Sequence, residues 1–370
     1  LAELALPYAE YSDEDLQRRH IYVEASRGCP FKCEFCLSAL DKTAWPFPLP
    51  TFLAELETLH ARGARQFKFV DRTFNLKVDT SLAILQFFLD KLEAAPDDPL
   101  FVHFELIPDH LPERLKAMIA RFPPGSLQFE IGIQSFNPAV QARVSRRQND
   151  AAAEANLRWL REHSRAHLHV DLIAGLPGED MASFAAGFDR LVGLAPHEIQ
   201  FGILKRLRGA PIARHSAEFD LRFNPDPPYN ILSTRELDFA TLQRLSRFAR
   251  YWDLVANAGR FPRTLGLLLG ESPFAHFLAF SDWLYARIGQ THAIAHERLV
   301  LLLREHLQAR GDTPGDAIDR TLIDDYRAAG GRSRFEFEPA DSPAPQPRQR
   351  DAQKAGATPK RQARHLRVGV

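Results

Sequence analysis

From His20 onward, short apolar runs alternate with segments whose apolar positions recur every three to four residues, the pattern of strands separated by amphipathic helices. Strands are predicted at Ile21–Ser26, Gln66–Asp71, Phe101–Ile107, Leu127–Gln134, His167–Ile173 and Glu198–Leu204. Between them, Thr51–Arg62, Thr80–Ala94, Pro112–Arg121, Asn149–His163 and Met181–Leu194 predict helices long enough to cross over between parallel neighbours. An α/β fold follows, a partial (β/α)6 barrel of the TIM-like kind over residues 20–211.

Within the strands the two faces differ. Tyr22, Glu24 and Ser26 share one face of the first strand, and Ile21, Val23 and Ala25 share the other. His103 with Glu105, then Gln128, Glu130 and Gln134, then His167, His169 and Asp171 repeat the polar face on later strands. If the apolar faces meet the helices, the polar faces line the interior, where an ordinary eight-stranded barrel packs layers of branched aliphatic side chains. The lumen is therefore expected to be open, with a polar ligand satisfying its carboxylates and imidazoles, because unpaired buried charge is costly. His103, His167 and His169 are read as hydrogen-bonding groups at the barrel base, with substrate or metal binding as the alternative.

After Pro211 the strand pattern stops. Helical periodicity continues at Ser233–Ala258, Pro273–Ile288, Thr291–Ala309 and Thr313–Ala328, which predicts a helical C-terminal domain over 212–335. Trp252, Phe274, Phe277, Phe280, Trp283 and Tyr285 are expected to form its core. Residues 336–370, and above all Asp341 to Val370, are rich in proline, alanine, glutamine and arginine and predict a disordered basic tail. Residues 1–19 read as a polar, partly helical linker or a truncated domain boundary.

Charge narrows the partners. The 47 lysines and arginines balance the 47 aspartates and glutamates, so no bulk field draws the chain to nucleic acid or a membrane. Without an apolar run near 20 residues or a signal-peptide pattern, a cytoplasmic location is expected.

The only cysteines are Cys29, Cys33 and Cys36, all on one loop directly after the first strand. Residues so close suit metal ligation better than a disulfide framework. Three thiolates can each take one iron of a cubane and leave the fourth iron to a small molecule. The alternative is zinc, with His20 or His60 as a fourth ligand.

The segment Ser26-Arg27-Gly28-Cys29-Pro30-Phe31-Lys32-Cys33-Glu34-Phe35-Cys36 resembles the radical S-adenosylmethionine (SAM) superfamily, with Phe35 as the aromatic before the last cysteine. Two further segments resemble the branch containing oxygen-independent coproporphyrinogen oxidase. They are Gly132-Ile133-Gln134-Ser135-Phe136, followed by Ser145-Arg146-Arg147-Gln148, and Asp171-Leu172-Ile173-Ala174-Gly175-Leu176-Pro177-Gly178. With Asp71-Arg72-Thr73-Phe74-Asn75 and the helical C-terminal region, the chain also looks like cobalamin-binding-domain radical SAM proteins with an uncharacterised C-terminal domain.

The resemblance implies a 4Fe–4S cluster on Cys29, Cys33 and Cys36, with Phe35 beside it. It also implies Glu105 and Arg146 on the amino and carboxylate ends of SAM, Gln134 and Asp171 on its ribose, and Gly175 permitting close backbone approach. Arg147 competes with Arg146 for its role, and Phe35 also suits a packed aromatic. The implied activity is reductive cleavage of SAM to a 5′-deoxyadenosyl radical that abstracts hydrogen from an unknown substrate. A flavodoxin or ferredoxin would be the reductant. Cobalamin-linked methyl transfer would require a domain before the barrel, which residues 1–19 cannot supply. A carrier or chaperone binding a tetrapyrrole without turnover is the alternative. A methylthiotransferase would need a second cysteine-held cluster, for which no cysteines remain.

Overall fold

The alternation of the strands dictates the architecture. In the computed structural model, which describes residues 1, 3–41, 43–340, 342 and 358–368, six strands form one parallel sheet in sequence order. They are β1 (Ile21–Val23), β2 (Gln66–Phe69), β3 (Phe101–Leu106), β4 (Leu127–Gln134), β5 (His167–Ala174) and β6 (Glu198–Ile203). Their registers run Ile21↔Phe67, Phe67↔Val102, Val102↔Leu127, Gln128↔His167 and His169↔Glu198. β1 and β6 are not paired with each other, so the barrel stays open between them.

The crossovers are α1 (Leu49–Ala61), α2 (Val78–Ala94), α3 (Glu113–Ile119), α4 (Asp150–His163) and α5 (Met181–Gly193). Asn149 and Asp180 start α4 and α5 by accepting backbone N–H bonds from Ala152 and Ser183. Phe67, Phe69, Phe104, Phe129, Leu168, Val170 and Ile199 are buried against these helices. Phe104 alone stacks on Phe74 with ring centroids 3.8 Å apart and meets Phe69 at 4.4 Å. Burial of each such ring stabilises the sheet by about 1.5–3 kcal/mol.

The polar positions face the other side, as the alternation predicts. They pair mostly with one another rather than waiting for a ligand, which revises the expectation of an unsatisfied lumen. Lys68 and His103 flank Glu130 at 3.4 and 3.2 Å, His169 Nε2 meets Gln200 Oε1 at 3.1 Å, and His167 meets Glu198 at 3.0 Å. Hydrogen bonding to His103, with Lys68 close by, holds the Glu130 carboxyl down at about 2. His103 and His167 thus take part in cross-strand pairs with glutamates, while His169 also lines a cavity described below.

The first strand ends sooner than predicted. The buried carboxylate of Asp71 accepts the Ala25 N–H at 2.9 Å and the Ser26 hydroxyl at 2.6 Å, which turns the chain away from β2. Ser26–Arg27 instead pairs antiparallel with Trp45–Pro46. Residues 1–19 do more than link, since Tyr8 and Leu16 are buried in the core and Tyr8 meets Phe52 edge-on.

Beyond a small hairpin of Arg222–Phe223 and Ile231–Ser233 lie α6 (Phe239–Trp252), α7 (Pro262–Leu269), α8 (Pro273–Ile288), α9 (His296–Arg310) and α10 (Gly315–Ala328). The helix predicted from Ser233 starts only at Phe239, because Ile231–Ser233 belongs to the hairpin, and α7 is a helix that periodicity did not predict. Trp252, Phe274, Phe277 and Phe280 are buried as expected, whereas Tyr285 is exposed beneath the Arg247 guanidinium. These rings share a core with the barrel: Phe188 lies 4.8 Å from Trp252, and Phe201 lies 4.9 Å from Phe248. Asn257, in a π-turn after α6, accepts from Ile199 N–H and donates to Ile199 C=O, so a side chain covers part of the open edge of β6.

In the basic tail, residues 341, 343–357 and 369–370 lie outside the described residues, and Lys360–Val368 forms a helix, α11, of which composition gave no sign. It docks beneath the sheet. Arg361 bridges Glu198 at 2.8 Å and Asp253 at 2.6 Å, Gln362 donates to Gln128, Thr358 donates to the Gly125 carbonyl, and His365 sits against Asn257 O. Glu198 is only 2% exposed, so Arg361→Ala leaves a buried carboxylate with imidazoles alone. The expected loss is about 1–2 kcal/mol, discounted for the partial exposure of Arg361, and urea denaturation checks it.

Candidate functional site

The site grows from the loop after β1. Gly28 adopts φ +91°, and a Cβ there would stand 2.2 Å from the Thr43 carbonyl, so the loop requires glycine. Cys29 N–H donates to Asp41 O, and Cys36 N–H closes a turn on Cys33 O. Between those cysteines Glu34 is buried, and its carboxylate accepts from Ser145 Oγ at 2.6 Å, from His215 at 2.8 Å and from Arg214. One acid thus ties the cysteine loop to the segment preceding Arg146 and to the chain beyond the barrel.

All three thiols are unpaired and line one 230 Å³ cavity at the C-terminal ends of the strands. Phe35, Glu105, Gln134, Arg146 and Asp171 line it as well. Neither His20 nor His60 does, so the two histidines offered as a fourth zinc ligand stand outside the cavity. Arg146 lies across the cavity with NH1 3.6 Å from Cys33 Sγ, held by Gln148 Oε1 and the Gly132 carbonyl. Arg147 also lines the cavity.

A bulge in β4 between Gly132 and Gln134 re-aims Gln134, which takes φ +71°. Gln134 Oε1 is buried without a hydrogen bond, and so is Asp171 Oδ1. The ring nitrogen nearest that Asp171 oxygen, His169 Nε2 at 3.3 Å, points instead at Gln200. Burial pushes the Asp171 and Glu105 carboxyls up, opposed by His169 and Arg72 respectively.

Two sequence expectations change. Gly175 lines neither this cavity nor its neighbour; its close approach is to Ile231, whose Cγ2 would lie 2.7 Å from an added Cβ, so its role is packing against the hairpin. Glu105 does not stand free, because Arg72 NH1 binds its Oε1 at 2.6 Å. Arg72 was missed as a site residue, although it continues the inward series Gln66, Lys68 and onward by twos.

A second cavity of 820 Å³ adjoins the first and shares Phe35, Arg72, Gln134 and Asp171 with it. It runs beside β6 under α6, with Phe201, Leu172 and Ile173 among its apolar lining and Lys205, Arg250, Asp253 and Arg361 among its charged groups.

Residues 23–191 match the family model of the radical SAM superfamily. These residues are a radical SAM domain. Residues 217–336 match a family described as a protein of unknown function, DUF4080. Among curated relatives, the ribosomal protein uS12 methylthiotransferase RimO of Pelobacter propionicus is 27% identical over 187 residues, covering 46% of this chain and 40% of that protein. Oxygen-independent coproporphyrinogen III oxidase of Synechocystis is 35% identical over 75 residues, or 20% of this chain and 16% of that protein. The chain thus spans well under half of these relatives. The solved structure of the radical SAM methyltransferase TsrM from Kitasatospora setae, with tryptophan substrate and a SAM analogue bound, aligns with a TM-score of 0.52 at 16% identity. It covers 75% of this chain and 64% of that one, a likeness of fold.

The radical SAM domain carries one further buried acid beneath the Gln134 bulge. Glu179 accepts from Ser135 at 2.5 Å and Ser183 at 3.4 Å, and its other oxygen has no partner. Burial pushes its carboxyl up to about 7. The folded chain then binds more protons than the unfolded one between about pH 4.5 and 7, so this stabilisation is full below that window and is lost as pH rises through it. About 3 kcal/mol is at stake. Urea denaturation at pH 5 and pH 7.5 should show a smaller difference in Glu179→Gln than in the parent; equal differences would discount the titration.

Proposed function

We propose that the chain is a radical SAM enzyme that holds a 4Fe–4S cluster on Cys29, Cys33 and Cys36 and acts on a substrate in the adjoining cavity. The observation that carries this reading is the convergence of three free thiols, Arg146 and two orphaned acceptors, Gln134 Oε1 and Asp171 Oδ1, on one cavity. Unsatisfied buried acceptors are costly, and a ribose diol would satisfy both. When bound, the cluster supplies the electron that splits SAM into methionine and a 5′-deoxyadenosyl radical for hydrogen abstraction.

The protein's own groups hold and orient. Arg146 matches the SAM carboxylate, Glu105 its ammonium, and Gln134 with Asp171 the ribose hydroxyls. Phe35 and the apolar lining around it exclude water from the reacting end. Methyl transfer through cobalamin belongs to this reading only with a corrin-binding domain beyond these residues. A flavodoxin or ferredoxin is the proposed reductant.

Anaerobic reconstitution should load about four irons per chain, and Cys29, Cys33 and Cys36 replaced together by alanine should load none. Stoichiometric zinc in place of iron would refute the cluster. With the cluster intact, Arg146→Ala and Glu105→Ala should each weaken SAM by about ten- to a hundredfold in calorimetry, the loss of a charge-assisted contact. Formation of 5′-deoxyadenosine with dithionite separates this enzyme from a tetrapyrrole carrier. Titration with hydroxocobalamin should give no tight binding to this chain.

A further inference from the structure

Arg72 stands in the wall common to both cavities, while its partner Glu105 faces only the first. Their ion pair is close, at 2.6 Å, and Arg72 is half exposed whereas Glu105 is largely covered. Two cations crowded on that one covered carboxylate would repel each other. If Glu105 receives the ammonium of SAM, the Arg72 guanidinium loses its partner and must find another anion or water.

The second cavity has no spare acid to offer. Asp253 is bound to Arg361 at 2.6 Å, and Asp171 is the acceptor assigned above to the ribose of SAM. Its cations, by contrast, are in excess: Lys205 and Arg250 line it and form no ion pair among the described residues. Releasing Arg72 would add a third unmatched positive charge to one concavity that already carries two.

We infer that the second cavity takes an anionic substrate, one bearing carboxylate or phosphate groups, and that Arg72 couples its binding to that of SAM by leaving Glu105 for the anion. This rests on the SAM reading above. Arginine suits the exchange because its planar fork binds either type of anion bidentately. The apolar side of the cavity, with Phe201, Leu172 and Ile173, would take the body of the substrate. Linkage makes the coupling mutual: whatever factor the anion adds to SAM affinity, SAM adds to anion affinity.

Calorimetric titration of SAM into the anaerobically reconstituted chain, with and without saturating pyrophosphate, reads the coupling directly. SAM should bind about fivefold tighter or better in its presence. Citrate in place of pyrophosphate separates the two anionic groups, the larger gain naming the one preferred. Arg72→Gln frees Glu105 beforehand, so it should bind SAM up to about fivefold tighter without pyrophosphate and gain nothing from adding it. Lys205→Gln with Arg250→Gln, which leaves Arg72 in place, should lose most of the gain. Equal SAM affinity with and without both anions in the parent chain, or a full gain retained in Arg72→Gln, overturns the inference while leaving SAM binding itself standing. Absence of any SAM binding to the parent chain brings down the underlying reading and this inference with it.

Discussion

Every charged group on the inner face of the sheet needs a partner, and that constraint organises the molecule. The parallel strands bury one face under helices, where phenylalanine and branched side chains suffice. The other face carries Lys68, His103, Glu105, Glu130, His167, His169, Asp171 and Glu198, which a water-filled lumen could solvate only in part. At the base the solution is internal, with cross-strand pairs and the cations of α11. Toward the cysteine loop the pairing thins, and two acceptors are left over. Both of those acceptors, Gln134 Oε1 and Asp171 Oδ1, belong to residues that line the cavity of the cysteines.

Much of this was legible in the sequence because it depends on periodicity. A two-residue alternation assigns Glu105, Gln134 and Asp171 to one face without any knowledge of their neighbours, and the structure brings all three to the cavity of the cysteines. What escaped depends on contacts between distant segments. Gly175 matched a motif, yet the atom that needs its missing side chain is Ile231 in a hairpin of two short strands, too brief to leave a periodic trace. The helix α11 escaped for a related reason. Its composition is that of a solvated tail, and only the acids waiting beneath the sheet give it a place to fold.

Glu34 extends the same logic to the loop itself. A glutamate between two cysteines would ordinarily be assigned to solvent, but here it is enclosed by Ser145, Arg214 and His215. The residues that precede Arg146 and those that begin the region after the barrel are thereby fixed against the cysteine loop by a single carboxylate. The region of unknown function meets the radical SAM domain where Phe248 packs edge-on against Phe188, with ring centroids 5.2 Å apart.

The docking of α11 carries a consequence for how the chain comes to be folded. Thr358 bonds Gly125 across 233 positions, and Gln362 reaches Gln128 across 234. During synthesis the six strands and their crossovers leave the ribosome long before these partners exist, and domains made first tend to fold first. Glu198 and Gln128 must then wait, solvated, in a sheet otherwise complete. Docking of α11 is thus a long-range closure from beneath the sheet, made by a stretch of chain whose composition is that of a solvated tail.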